Sequence, residues 1–179
     1  MKKLQPFLIL TIYFSCLWVA CNTATAEKYF DVTVLNSNMV VGFAGSGMAR
    51  ELDQPSAKLV AGTTNQTAPM KRAEVVDDKI QFTEASYEKI KDLRETDDTR
   101  EMIQASKALY EYILPVYKTE YKQLAKLYDD GAPAITIESF SNTLQEKYAP
   151  RFKELYDKLI AIGKPYAAKH NIKVNWADN

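Results

Sequence analysis

The sequence predicts an all-α fold, an up-and-down bundle of three to four helices, and three observations predict it. Apolar residues recur at spacings of three and four through most of the chain after about residue 74. The runs are joined by short breaks, notably "DDGAPA", whose Gly131 and Pro133 are stop signals. No cysteine follows residue 21, so the apolar stripes must be buried on one another with no disulfide to help.

The N-terminus reads as an export signal. Met1-Lys2-Lys3 is a basic start, and Phe7 to Ala20 is an uncharged apolar run of 14 residues. That is shorter than the roughly 20 residues a membrane-spanning helix needs. Two processing sites compete. Ala24-Thr25-Ala26 fits ordinary signal peptidase, with cleavage after residue 26. Leu17-Trp18-Val19-Ala20-Cys21 has the layout of a lipobox, with Trp18 where leucine is usual. The second reading divides the chain into a signal at 1–20, a polar tether at 21–28 lipid-anchored through Cys21, and a single helical domain at 29–179. The other cysteine, Cys16, lies inside the apolar run.

Residues 29–52 fit two templates. Phe30, Val32 and Val34 alternate as in a strand, while Phe30, Val34, Ser37, Val41, Ala44 and Met48 make a helical stripe; the helix is preferred and a hairpin is its rival. Residues 53–72 read as a polar loop with a short helical turn at 57–61. A helix from Glu74 to about Arg94 carries Val76, Ile80, Tyr87 and Ile90. The next begins at Thr96 or Asp97, with Asp97, Asp98 and Glu101 at its positive end. Its stripe runs Met102, Ala105, Leu109, Tyr112, Val116 and on to Tyr128. The last starts near Thr136 and bears Phe140, Leu144, Tyr148, Phe152, Leu155, Leu159, Ile162 and Tyr166. Pro115 and Pro150 are expected to kink these two helices, since each removes a backbone donor.

Charge and motifs exclude more than they assign. The chain has 23 basic and 23 acidic residues, and Lys2 and Lys3 precede the domain, leaving 21 against 23, or net −2. That balance makes no case for phosphate neutralisation and hence for nucleic acid. "VVGFAGSGMAR" looks like a nucleotide loop but has Arg50 where the dinucleotide fingerprint needs a third small residue, and it has no Gly-Lys-Ser or Gly-Lys-Thr. The expected role of Gly42, Gly45, Ser46 and Ala49 is to let a neighbouring helix approach closely. The one histidine, His170, has no Glu-x-x-His partner and reads as a helix-end cation. Glu154 and Lys158 read as a solvated i,i+4 pair. No metal, cofactor or nucleotide is expected.

Eleven tyrosines are the compositional oddity, five on the third predicted helix and three on the last. Tyr110, Tyr117, Tyr121, Tyr148 and Tyr156 are candidates for an amphipathic groove that meets a ligand or partner helix. The competing and preferred reading makes them core and core boundary. Lys118, Lys122 and Lys126 share one face at i, i+4, i+8 and are candidate contacts for anionic headgroups, against a plainer reading as a solvated face.

The basic signal ending near a cysteine, followed by "YEKIKDL" and "ALYEYILPVYKTEYKQLAKLY", resembles small helical surface lipoproteins of unknown function from Bacteroidota and spirochaetes. The likeness covers the second and third predicted helices and carries no catalytic motif, so it transfers no active residue. It implies a cell-envelope protein anchored by lipid at Cys21 that binds a protein or small ligand and is not an enzyme. Two other functions remain as alternatives. One is an envelope enzyme whose carboxylates and tyrosines assemble only in the fold. The other is an inhibitor or immunity-type protein.

Overall fold

The structure, a computed structural model, describes residues 24–176; Cys21 and the stretch read as an export signal lie outside the described residues. Its elements in order are α1 (Ala26–Thr33), a 3-10 helix (Leu35–Val40), α2 (Ser46–Asp53), strands β1 (Ala57–Leu59) and β2 (Thr67–Pro69), α3 (Arg72–Lys91), α4 (Arg100–Val116), a π-helical turn (Tyr117–Tyr121), α5 (Lys122–Asp129) and α6 (Ala134–Lys169). Three rods, namely α3, α4 continued through the π turn into α5, and α6, pack through short connections as an all-α helical bundle. α1 lies against all three rods. The apolar residues form one contiguous core.

The caps explain where the rods begin and end. The Asp129 carboxylate, at the end of α5, accepts the N–H groups of Arg72 and Ala73, both at 2.9 Å, and so satisfies the open start of α3. Glu74 closes the same turn by accepting the Lys71 N–H at 2.8 Å. Gly131, with φ +70°, ends α5 as its sequence foretold, and Ala132 N–H returns to Leu127 O at 2.9 Å. Asn171, φ +56°, does the same after α6, turning the chain so that Trp176 meets Phe30 edge-on at 5.9 Å. At Gly163, within the last two turns of α6, the helix comes against the end of α1: an added Cβ would sit 2.9 Å from Val34 Cγ2.

Four expectations are corrected. Residues 29–52 are neither one helix nor a hairpin, but α1, the 3-10 helix and α2 joined by a turn at 41–45. Val40 is buried there and Val41 is 51% exposed, because the 3-10 segment shifts the stripe by one residue. Residues 57–61 contain no helical turn; β1 pairs antiparallel with β2, Ala57 opposite Pro69. α4 starts at Arg100, since the Thr99 hydroxyl accepts the Thr96 N–H at 3.0 Å and holds residues 96–99 as a turn. Glu154 pairs with Arg151 at 2.6 Å. Pro150 and Pro165 sit within a continuous α6, whereas Pro115 is followed at once by the π turn, where the Thr119 hydroxyl donates to the Pro115 carbonyl at 2.8 Å.

Candidate functional site

The glycine-rich segment is a structural turn. Phe43 projects from it into the core and meets Tyr112, Tyr117, Tyr121 and Phe152 with ring centroids between 5.2 and 6.2 Å. Ala44 is left with φ +48°, a left-handed conformation that disfavours any side chain. Its N–H donates to the Tyr121 hydroxyl at 3.0 Å. Gly42 and Gly47 face each other across the turn, and an added Cβ on Gly47 would lie 2.7 Å from Gly42 Cα. The close approach expected of these small residues is therefore made within the turn, not to a neighbouring helix.

The five candidate tyrosines divide between core and surface. Tyr110, Tyr117 and Tyr121 are buried. Burial raises all three hydroxyl pKa values: Tyr110 and Tyr121 are pushed up to about 12, and Tyr117 rises too. The Tyr110 hydroxyl has no hydrogen-bond partner of good geometry, although the nearby Ser86 hydroxyl tempers its shift. A contrast follows. Tyr110→Phe is expected to leave stability level or raise it, because it deletes an unsatisfied polar atom. Tyr121→Phe strands the buried Ala44 N–H and is expected to cost about 1–3 kcal/mol. Urea titration of the two variants checks the sign. Tyr148 sits half-buried at the boundary, with its hydroxyl on Glu120 and Lys147 Nζ 4.8 Å from its ring centroid. Tyr156 is half-buried and lines a groove.

The lysine row is a row of ion pairs: Lys118 to Glu84 at 2.5 Å, Lys122 to Asp77 at 2.8 Å and Lys126 to Asp130 at 2.5 Å. Its charge is met by acids of α3 and by the residue that follows α5. His170 follows α6 and contacts Asp98 at 2.7 Å beside Lys169 at 2.5 Å. Hydrogen bonds from Lys169 and then His170 hold the Asp98 carboxyl below its ordinary range. Carboxylate–tyrosine contacts do form, at Tyr87–Glu111 and Tyr148–Glu120, but each involves a single acid. Among the described residues no group of three or more His, Cys, Asp and Glu could hold a metal ion.

A groove of about 1110 Å³ lies between the 3-10 helix, the second half of α6 and the C-terminal segment ending at Trp176. Phe152, Tyr156 and Ile160 repeat at i, i+4, i+8 along its floor, and Leu35 and Val41, 38% and 51% exposed, form the facing wall. Its volume is at or slightly above the upper end of the range of small-molecule sites. Sequence reasoning found Tyr156 but missed the rest. Phe152, in a stripe read as core, is indeed buried and only edges the groove, whereas Leu35 and Val41 lay in a segment read as regular helix. The signal was present in the unusual apolar exposure of a 3-10 turn, which only its geometry reveals.

Comparison with known proteins finds no matching protein-family model, and neither the curated proteins nor the solved structures searched give a match.

Proposed function

We propose that this chain is an exported binding module of the cell envelope, anchored by lipid at Cys21, and that the groove beside Tyr156 is its binding surface. The observation that carries the binding reading is the groove itself. An open trough is walled by the exposed Leu35 and Val41 and floored by the half-buried Tyr156 and Ile160, with the edge of the core residue Phe152 at one end. The anchor rests on the sequence: an uncharged run too short to span a bilayer ends at Cys21, and no later cysteine competes with it. No helix among the described residues is long and apolar enough to cross a membrane, so membrane attachment falls to the N-terminus.

The test is fractionation. In its native host the chain is expected to partition with membranes, and Cys21→Ser is expected to move most of it to the soluble fraction. Intact mass adds a second readout, an acylated chain starting at Cys21 as against an unmodified one starting at Glu27. Unchanged partitioning of Cys21→Ser, or a mature chain starting at Glu27, removes the anchor.

A further inference from the structure

The polar groups along the middle of the groove satisfy one another. Lys153 pairs with Asp157 at 2.6 Å, and the Tyr156 hydroxyl donates to Asn38 Oδ1 at 3.1 Å. One end differs. Lys164 has no carboxylate within 4.0 Å among the described residues, and its Nζ stands 5.6 Å from the centroid of the Trp176 ring, with Asn175 lining the same wall. Between these features the floor from Phe152 to Ile160 is apolar for about 12 Å, given the rise of a helix, the length of a medium-chain acyl group.

This distribution selects among occupants. A peptide would bring a donor and an acceptor with every residue, and along the floor from Phe152 to Ile160 the one side-chain polar group is the Tyr156 hydroxyl, already given to Asn38. A saturated chain brings none. A negative head beside Lys164 meets a cation that no carboxylate among the described residues pairs within 4.0 Å, whereas a positive head is repelled. We propose that the groove binds a single-chain amphiphile with an anionic head, of the medium-chain carboxylate class, its head at Lys164 and Trp176 and its chain along Phe152, Tyr156 and Ile160. The proposal rests on the reading of the groove as the binding site.

The chain supplies its own probe. Its two tryptophans are Trp18 and Trp176, so in a full-length Trp18→Phe chain the emission comes from the groove whether or not the export segment is removed. Decanoate, titrated below its micelle concentration, is expected to shift that emission saturably. Decyltrimethylammonium is expected to bind roughly tenfold more weakly, as attraction at an exposed cation becomes repulsion. Lys164→Glu, at an exposed position, is expected to reverse that preference. Leu35→Asp puts a charge into the exposed wall without touching the core and is expected to weaken both ligands. No saturable response to decanoate, equal affinity for the two heads, a Lys164→Glu chain that still prefers decanoate, or a Leu35→Asp chain that binds both unchanged overturns the proposal. Failure here while Cys21→Ser still releases the protein leaves the anchored module standing. Unchanged partitioning of Cys21→Ser leaves the ligand reading intact.

Discussion

Phe43→Ala is expected to cost about 3–5 kcal/mol of folding stability, read as a lowered urea midpoint at unchanged slope. Phe43 is 2% exposed and is the ring on which α4, the π turn and α6 converge, through Tyr112, Tyr117, Tyr121 and Phe152. Truncation removes its transfer free energy and leaves a cavity walled by four rigid rings, which cannot collapse inward easily. It also loosens the anchor of the turn that holds Ala44 at φ +48°. Domains of this kind are typically stable by only about 5–15 kcal/mol, so the variant should lie near the edge of folding. Ile135→Ala, at a residue 71% exposed, is the control and should fall within about 0.5 kcal/mol of the parent. A midpoint for Phe43→Ala equal to that of Ile135→Ala would show that the segment at 41–45 does not pack as described.

Gly47→Ala is expected to lower stability by about 1–3 kcal/mol, the second-largest effect. The new methyl would sit 2.7 Å from Gly42 Cα, and the obstacle is backbone, which cannot rotate away as a side-chain tip would. Gly45→Ala is the internal comparison. Gly45 has extended backbone at φ −150° and an added Cβ finds nothing nearer than 3.8 Å, so its loss should cost under about 1 kcal/mol. The pair separates two uses of a glycine-rich run. A turn closed by backbone contact is sensitive at 42 and 47 and tolerant at 45. A loop that cradled a ligand would show its glycine sensitivity in binding rather than in stability. Thermal melts of both variants supply the measurement, and equal losses at 45 and 47 would refute the packing account.

How much of this was legible depends on the range of the interaction that decides each feature. The stops at Gly131 and Pro133 and the stripe from Leu144 to Tyr166 act within a few residues, and they appear in the bundle where the sequence put them. The start of α3 was placed two residues late because its cap is Asp129, fifty-seven positions from Arg72 and silent in any local window. The segment 29–52 misled for a related reason. Its apolar residues fit a helical period, but the chain must turn at 41–45 to deliver Phe43 into the core, and that demand comes from tyrosines some seventy residues away. Of the glycines read as serving approach by a neighbouring helix, Gly42 makes a close contact, but with Gly47 of its own turn, and Gly45 makes none.

The sequence by itself determined that the chain builds amphipathic helices that bury their apolar stripes on one another, with no cysteine after residue 21. Helical periodicity, stop residues and the absence of later cysteines are local or compositional facts. Only the tertiary structure decided that Tyr110, Tyr117 and Tyr121 are core while Tyr148 and Tyr156 are half-buried, that the lysine row is neutralised by acids from α3 and by Asp130, and that a groove opens beside Tyr156. A stripe tells which side of a helix seeks a partner. Whether a partner is there depends on contacts between residues far apart in the chain, and beside the groove those contacts bury Leu155 and Leu159 but leave Tyr156 and Ile160 half-buried.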